Sequence, residues 1–540
     1  MSRPTPVPSV KGIAQQDTEF VQGMGLTSAT MLVMGSMVGS GIYIVSADIA
    51  RLVQSPALLI GAWVVTGVMT IIGGLAYGEL SAMMPRAGGQ YVFLRESLGP
   101  LWGFLYGWTY FLVIQCGTIA AVGVALGKFF GVFFPAISSS HWLTLHYKVP
   151  PIPVGPMVFG NMDVGLNTQN LVAIVSIILL SVTNIYTVKT GAMVQNIFTF
   201  AKITALLGFV FCGYFLGKSS AALAVNFGHN FWYNAGLGTL HTIPVGLAGA
   251  TATVSVFTIL AVAQVGSLFA ADAWNSVTFT AAEVKNPQRN LPLSLVVGTG
   301  AVILLYILAN IVYLCVLPMF GDPNGTTVLA RGIQYAAEDR VATAVMQQVF
   351  GPVGASLMAI AVLVSTFGAN NGLILSGARC YYAMARDGLF FERVGQLHPK
   401  YKTPHVSLGV QAVWACVLCL SGSYGQLLEY TMFSVMAFYI LTLLGLFVLR
   451  RTRADAPRPY KAIGYPVLPA IYILMAVFID VVWLRYRPQY TWPGLIIVLL
   501  GIPAYFWWSR RSRRGRDDFR AAAPAPRAKD PSILLAGNEG

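Results

Sequence analysis

Two short interruptions break long apolar stretches of this chain. They are GSMVGSGIY, at Gly35–Tyr43, and FAADAWNS, at Phe269–Ser276. Glycine and serine weaken helix formation in the first, and aspartate and asparagine weaken it in the second. Within a membrane, backbone groups freed by such a break cannot face lipid without a hydrogen-bond partner. Both interruptions therefore predict unwound segments whose N–H and C=O groups face a cavity or a ligand.

The first interruption has the residue types of an anion site. Gly39 and Gly41 allow a ligand to approach the backbone closely. The N–H groups of Ser40, Gly41 and Ile42 would begin the second half of a broken helix, and a helix N-terminus attracts anions. The carboxylate of an amino acid is a suitable ligand for such a site. The alternative is close helix packing, which small residues also promote in membranes.

The second interruption has the residue types of a cation site. If the helix unwinds there, the carbonyl groups of Phe269, Ala270 and Asp272 lose their helical donors. They would then accept hydrogen bonds from an ammonium group, with the carbonyl of Met37 on the opposite side. Together the two interruptions would bind the two charged ends of a small zwitterion.

The elements that must position these residues are membrane helices. Hydrophobic residues make up 56% of the 540 residues and charged residues only 10%, whereas soluble proteins carry about 25% charged residues. A helix needs about 20 apolar residues to cross a bilayer. About twelve segments qualify, numbered here as spans 1 to 12: 26–50, 56–80, 99–134, 168–187, 194–217, 250–279, 292–319, 341–376, 406–423, 426–450, 464–484 and 490–509.

The distribution of lysine and arginine predicts the orientation of the chain. Most of these residues fall in loops on the side of the N-terminus, which by the positive-inside rule places both termini in the cytoplasm. The net charge of +14 is thereby explained without a nucleic-acid partner, and the protein is expected to be surrounded by membrane lipid.

The chain is predicted to have four regions: a cytoplasmic tail at 1–24, a ten-helix core at 25–450, two further spans at 451–510 and a basic, disordered tail at 511–540.

The two interruptions fall in the first span of each group of five spans. This is the arrangement of a 5+5 inverted repeat, in which paired discontinuous helices form the binding site of a secondary transporter. The sequence thus predicts an all-α polytopic membrane protein with helices 1 and 6 broken.

Several motifs, in order, resemble the amino acid–polyamine–organocation superfamily near its L-type amino acid transporter branch. They are GSMVGSGIY, the stretch Glu79–Trp108, FAADAWNS with EVKNPQRNLP at Glu283–Pro292, and GARCYYAMARDGLF at Gly377–Phe390. The resemblance covers roughly residues 20–450. It implies a LeuT-type fold and a secondary active amino acid permease or exchanger of the plasma (inner) membrane. Spans 1, 2, 6 and 7 would rock against spans 3, 4, 8 and 9.

The resemblance also assigns expected roles around the second interruption. Phe269 matches the aromatic gate over the substrate, and Trp274 and Asn275 match the pattern of the branch. Asp272 departs from it, because glycine is typical at this place. A mid-membrane carboxylate costs about 2.5–3.5 kcal/mol, so compensation is expected. Three explanations remain open: recognition of a cationic substrate side chain, a proton-coupling carboxyl, or a cap on the broken helix.

Lys202 is a basic residue deep within span 5. Its side chain would either extend toward the cytoplasm or, as the resemblance implies, place its ammonium group where sodium-coupled relatives of the fold bind their ion. In the second case it would bridge the broken span 1 and span 8. The resulting prediction is sodium-independent transport.

Glu79, Glu283 and Arg379 lie toward the predicted cytoplasmic face. They are predicted to form ion pairs of an inner gate that separate when the transporter changes state. The alternative is a solvated loop with scattered charges, in which exposed pairs contribute little.

Other classes of function lack their sequence signatures. The chain has no GxxxxGK[ST] phosphate-binding loop, and its six histidines show no metal-binding spacing, so neither an enzyme nor a cofactor or metal is expected. The outer loop 136–167 has no cysteine, whereas the resembling animal transporters bond to a heavy subunit through a cysteine there; no such subunit is expected. Expected partners are an amino acid and, for proton-linked uptake, protons. A polyamine or other organocation transporter and a non-transporting sensor remain alternatives.

Overall fold

The computed structural model describes residues 20, 22–150, 152–154, 157–159, 162–186, 188–228, 230–245, 250–421 and 424–522. Within these ranges ten helices are long and apolar enough to cross a membrane, and two shorter apolar helices correspond to predicted spans 6 and 9. The prediction of a polytopic helical membrane protein is confirmed. Most of the predicted N-terminal tail, and residues 523–540 of the predicted C-terminal tail, lie outside the described residues.

Both groups of five spans begin with an interrupted helix. The helices of the first group and its connections are Leu26–Met37, Gly41–Ile44 and Ser46–Val53 (span 1), Pro56–Met83 (span 2), Gln90–Leu98, Pro100–Thr109 and Gln115–Phe130 joined by a π-helical turn at Tyr110–Ile114 (span 3), Thr168–Tyr186 (span 4), Val188–Leu216 (span 5) and Ser220–Phe227.

The second group comprises spans 6 to 10, and spans 11 and 12 are the two added helices. They are Val256–Ala270 and Ser276–Phe279 (span 6), Pro287–Val316 (span 7), Val328–Arg331, Val341–Arg386 (span 8), His405–Cys419 (span 9), Tyr424–Thr452 (span 10), Val467–Tyr486 (span 11) and Pro488–Ala522 (span 12), with single 3-10 turns at Ala281–Glu283, Ala337–Asp339 and Glu392–Gly395.

Spans 6, 8 and 12 differ from their predicted form. Span 6 begins at Val256 rather than 250, because Ala250–Ser255 pairs antiparallel with Leu240–Val245, and alternating threonines favour a strand. Gly351, at φ 63° and ψ −151°, separates a short first helix from the main part of span 8. Span 12 continues as a helix to Ala522, so the first part of the predicted disordered tail is helical.

The segment 136–167, predicted to be an outer loop, contains two small antiparallel ladders. Tyr147–Val149 pairs with Met162–Val164, and Ile152–Val154 pairs with Met157–Phe159.

The spans pack in two groups that meet at the interruptions. Spans 1, 2, 6 and 7 contact one another, spans 3, 4, 8 and 9 form a second group, and span 5 contacts both spans 1 and 8. The buried core runs through both groups. The two breaks lie where the groups meet, which is where a site between moving parts of a transporter is expected.

Candidate functional site

Span 1 unwinds at the position that the sequence predicts. The first helix ends at Met37, Val38 leaves the helical region at φ −74° and ψ 87°, and helix resumes at Gly41. Gly39 donates its N–H to the carbonyl of Met37 at 2.8 Å. The next three N–H groups, of residues 40–42, donate to no other backbone carbonyl within the described chain. They are available as donors at the start of the second helical half.

Span 6 unwinds at the second interruption. Its first half ends at Ala270, and Ala273 adopts a left-handed conformation with φ 63° before helix resumes at Ser276. The carbonyl of Phe269 accepts from the N–H of Asp272 at 3.2 Å.

Tyr306 of span 7 joins the two breaks, and the sequence analysis missed it. Its hydroxyl lies 2.9 Å from the carbonyl oxygen of Met37 and 3.1 Å from that of Ala270. A hydroxyl has one proton to donate, so it can satisfy only one of these two carbonyls at a time, and the carbonyl of Met37 also accepts from the N–H of Gly39. They are two of the carbonyls predicted to bind an ammonium group.

Glycine is required where the two breaks touch. A Cβ atom added to Gly41 would lie 2.6 Å from the Cβ atom of Ala270 and 2.8 Å from its Cα atom. A Cβ atom added to Gly39 would meet Ala369 at 3.6 Å, an ordinary contact. The close approach therefore depends on Gly41.

A cavity, here the break chamber, lies between the two breaks. It is lined by Ser36, Met37, Gly39, Ser40, Gly41, Thr118, Val122, Phe269, Ala270, Asp272, Ala273, Ala369 and Leu373. Seven of the ten substrate-binding residues predicted from the sequence belong to this lining.

A second cavity, here the amide chamber, adjoins the first. Thr118, Asp272, Ala273 and Leu373 line both. The other residues of its lining are Gln90, Tyr106, Tyr110, Ile114, Gln115, Asn275, Ser276, Val435 and Tyr439. Asn275 is therefore the eighth predicted residue at the site.

Two predicted residues, Ile42 and Trp274, lie outside both linings. The Ile42 side chain is fully buried, and its carbonyl accepts from the hydroxyl of Tyr313 at 2.9 Å. The Trp274 ring packs against Tyr77 and Tyr439, with ring centroids 4.8 and 5.3 Å apart. Trp274 therefore packs behind Tyr439, which lines the amide chamber. Ile42 can contribute only its backbone N–H to the site.

Asp272 stands on the wall shared by the two chambers. Its Oδ1 accepts from the hydroxyl of Tyr439 at 2.6 Å, and no basic side chain of the described residues pairs with it. The second helical half of span 6 starts after Asn275 and receives no side-chain cap. The Tyr439 hydroxyl is the side-chain partner of Asp272 among the described residues, and no side-chain cap forms at the start of that helix.

Lys202 is fully buried and contacts the break in span 1. Its Nζ donates to the carbonyls of Gly35 at 2.5 Å, Val38 at 3.0 Å and Ser365 at 3.3 Å. The side chain therefore does not extend toward the cytoplasm, and its ammonium group joins span 1 to span 8. Three carbonyl oxygens around one ammonium group resemble the coordination of a cation.

The predicted gate residues fall into two separate clusters. Arg379 Nε lies 2.9 Å from Glu283 Oε1, and both side chains are almost fully buried. Glu79 instead lies 2.6 Å from Arg450 and 3.3 Å from Arg458. Glu79 thus ties span 2 to span 10 and the segment after it, rather than joining the first pair.

Comparisons with known proteins agree with this architecture. A family model described as amino acid permease matches residues 24–504. The chain is 26% identical to the serine/threonine exchanger SteT of Bacillus subtilis, over 92% of this chain and 99% of SteT. It is 27% identical to the b(0,+)-type amino acid transporter 1 of Mus musculus, over 92% and 91% of the two chains. It is also 27% identical to the large neutral amino acids transporter small subunit 2 of Homo sapiens, over 91% and 81%. These relatives are named for transport or exchange and not for catalysis, and this chain belongs to the amino acid permease family.

Proposed function

We propose that this permease is a secondary active, sodium-independent amino acid transporter or exchanger that binds its substrate as a zwitterion between the breaks of spans 1 and 6. Amino acid transport follows from the family. The binding mode and the ion independence are the proposal.

The observation that carries the proposal is the presence of complementary backbone groups around one chamber. The N–H groups of residues 40–42 have no backbone acceptor among the described residues, and they begin a helix whose dipole favours an anion. The carbonyls of Met37 and Ala270 share one hydroxyl donor. A carboxylate and an ammonium group would fit these two sets.

Sodium independence is supported by the contacts of Lys202. Its buried ammonium group already fills a cluster of three carbonyl oxygens at the break. A fixed positive charge there repels a second cation at short distance in a medium of low dielectric constant. The carbonyl dipoles that would attract sodium are neutralised by the protein itself.

The proposed cycle is alternating access in the plasma membrane, with both termini cytoplasmic. Spans 1, 2, 6 and 7 would rock against spans 3, 4, 8 and 9, and the buried Glu283–Arg379 pair would hold the inner side closed in one state. The predicted outer loop 136–167 has no cysteine, which supports a transporter without a disulfide-linked subunit.

Counterflow in proteoliposomes tests the proposal directly. Vesicles loaded with one of the twenty amino acids are diluted into the radiolabelled amino acid, in sodium buffer or in choline buffer. We expect exchange of a subset of amino acids at equal rates in the two buffers. A several-fold loss in choline would refute sodium independence, and exchange of no amino acid would refute the transport proposal and favour a sensor.

Transport of an organic cation is the second candidate, because the carboxylate of Asp272 faces both chambers. A substrate and its decarboxylated amine separate the two candidates. We expect the amine to compete poorly, since it leaves the donors of residues 40–42 unused. Equal competition by both compounds would favour the organocation reading.

A further inference from the structure

Span 11 carries a buried carboxyl group without a partner. Asp480 is 7% exposed, and its Oδ1 is buried with no hydrogen bond. Among the described residues none donates to this carboxyl group or forms an ion pair with it. The next basic residue along the chain, Arg485, lies at the C-terminal end of the helix. Asp480 lines neither chamber, so the proposed binding of the zwitterion does not use it.

The helices around Asp480 supply no positive charge. Span 11 contacts spans 2, 6, 10 and 12, and Trp483, about one turn after Asp480, donates from Nε1 to the carbonyl of Ala261 in span 6 at 2.8 Å. Spans 2 and 6 contain no lysine, arginine or histidine, and in spans 10 and 12 the first such residues are Arg450 and Arg510, toward the C-terminal ends. This packing therefore offers Asp480 no ion-pair partner.

The titratable neighbours of Asp480 are phenols that lead toward the second buried aspartate. Tyr472, about two turns earlier in span 11, interacts electrostatically with both Asp480 and Asp272. Tyr77 of span 2 and Tyr439 of span 10 interact in the same way with Tyr472 and with Asp272. The two carboxyl groups are thus linked by phenols, and no basic group takes part.

An unpaired carboxylate is strongly disfavoured in these surroundings. Burial removes the water that stabilises the negative charge, and only a partner or a proton can compensate for that loss. The acidic residues of spans 2 and 10, Glu79 and Glu429, supply no compensating charge. Asp480 is therefore expected to be the neutral acid in this packing, and it can lose its proton only where a change in packing admits water.

We propose that Asp480 is a proton-binding site of the transporter and that it couples amino acid uptake to a proton gradient. Spans 2 and 6, against which span 11 packs, belong to the group that would rock in the proposed cycle, so their movement would admit water to the carboxyl group. The O–H bond then breaks, its electron pair stays on the carboxylate and water takes the proton. The reverse reaction reloads the site from the other side of the membrane. The inference rests on the proposed alternating access.

Uptake driven by a proton gradient tests the coupling. Proteoliposomes whose membrane potential is clamped with potassium and valinomycin take up a radiolabelled amino acid that the protein exchanges. The outside is held either at the pH of the lumen or one pH unit more acidic. For one proton per substrate this gradient corresponds to about tenfold accumulation, so we expect uptake by the wild-type protein to rise several-fold.

Two aspartate variants locate the effect. Asp480→Asn keeps the size of the side chain and is permanently neutral, so we expect it to lose the stimulation by the gradient while counterflow persists. Asp455→Asn is the matched control, because Asp455 is exposed and its neutralisation should leave the stimulation intact. If Asp480→Asn is not recovered folded, Asp480→Leu replaces the neutral acid by an apolar side chain of similar volume, which buried sites tolerate, and the same loss is expected.

Infrared difference spectroscopy tests the proton itself, independently of transport. A protonated carboxylic acid has a C=O stretching band that is separate from the bands of a carboxylate. We expect the wild-type spectrum at neutral pH to contain one such band that Asp480→Asn lacks. Its absence overturns the inference. This readout remains available if the protein exchanges no amino acid and the transport proposal itself fails.

The transport results can also overturn the inference while the transport proposal stands. An exchanging wild-type protein whose uptake ignores the gradient would do so, and so would full stimulation in Asp480→Asn. Loss of the stimulation in Asp272→Asn but not in Asp480→Asn would assign the proton to the carboxyl group between the chambers and would likewise reject the role of Asp480.

Discussion

Gly41→Ala is the sharpest test of the contact between the two breaks. The added Cβ atom would lie 2.6 Å from the Cβ atom of Ala270, whereas ordinary contact begins at 3.4 Å. The backbones of spans 1 and 6 must then separate by about 0.8 Å, because both residues are fully or nearly fully buried and neither has a flexible side chain. Overpacking of this kind costs about 1–3 kcal/mol.

The added methyl group changes the spacing between the donor and acceptor groups that are proposed to bind the substrate. Residue 41 belongs to the donor set, and Ala270 supplies one of the acceptor carbonyls. If these groups move apart, the carboxylate and the ammonium group of one substrate can no longer reach both sets. A loss of 1.4 kcal/mol in binding free energy corresponds to a tenfold loss in affinity. We therefore expect the apparent affinity in counterflow to fall by about tenfold or more.

The control for this variant is Gly39→Ala. Its Cβ atom would meet Ala369 at 3.6 Å, so the spacing of the two breaks should not change, and we expect a smaller loss of affinity than in Gly41→Ala although residue 39 lines the same chamber. Thermal unfolding of both variants in detergent shows whether each one folds. If a folded Gly41→Ala protein exchanges substrate as well as Gly39→Ala, the close contact does not serve binding and the reasoning is wrong.

Four further substitutions test the other contacts. Lys202→Met removes the ammonium donor from three carbonyls, of which Val38 still accepts from the Ser365 hydroxyl, so the cost is that of about one unpaired group, about 1–3 kcal/mol. We expect exchange to be lost or its remainder to become sodium-stimulated in counterflow; full exchange without sodium would contradict the assigned role. Tyr306→Phe removes the donor shared by both breaks, and a loss of about 1 kcal/mol should appear as a lower unfolding temperature and slower exchange. Asp272→Asn should abolish uptake of radiolabelled arginine if the carboxylate binds a cationic side chain, and unchanged uptake rejects that role. Glu283→Gln breaks the buried ion pair with Arg379, which costs about 3–5 kcal/mol. Because the buried thiol of Cys380 directly follows Arg379 in the chain, we expect maleimide labelling of Cys380, measured by mass spectrometry, to increase.

The positions of the breaks could be predicted from the sequence because their causes are local. Glycine and serine at 39–41 and aspartate and asparagine at 272–275 are poor helix formers wherever they occur. A break in a membrane helix must also be compensated by a cavity or a ligand. Local composition and this single constraint together locate most of the break chamber.

The partners across the breaks could not be predicted in the same way. Tyr306 lies 269 residues from Met37 in the chain, and Glu79 lies 371 residues from Arg450, so their contacts depend on how distant helices pack. A weak signal did exist for Tyr306. Tyr306, Asn310 and Tyr313 recur at helical spacing on one face of span 7, and such a polar stripe in a membrane helix points toward other helices rather than lipid.

Trp274 shows why residue type alone misplaces a site residue. It sits in the interrupted segment, and an aromatic residue there is expected to contact substrate. The left-handed turn at Ala273 changes the direction of the chain just before it, so the ring packs on Tyr77 and Tyr439 instead.

That left-handed turn is also the most informative local feature of span 6. A non-glycine residue at φ 63° costs about 1–2 kcal/mol, and strain of this kind persists only where the surrounding structure enforces it. Here Asp272 and Asn275 on either side of the turn both line the amide chamber, and Asp272 also lines the break chamber. The same turn thus keeps Asp272 beside the backbone groups that would bind the zwitterion. A relaxed, continuous helix would place Asp272 and Asn275 along one helical stripe and would return helical donors to the carbonyls on which the proposed binding of the zwitterion depends.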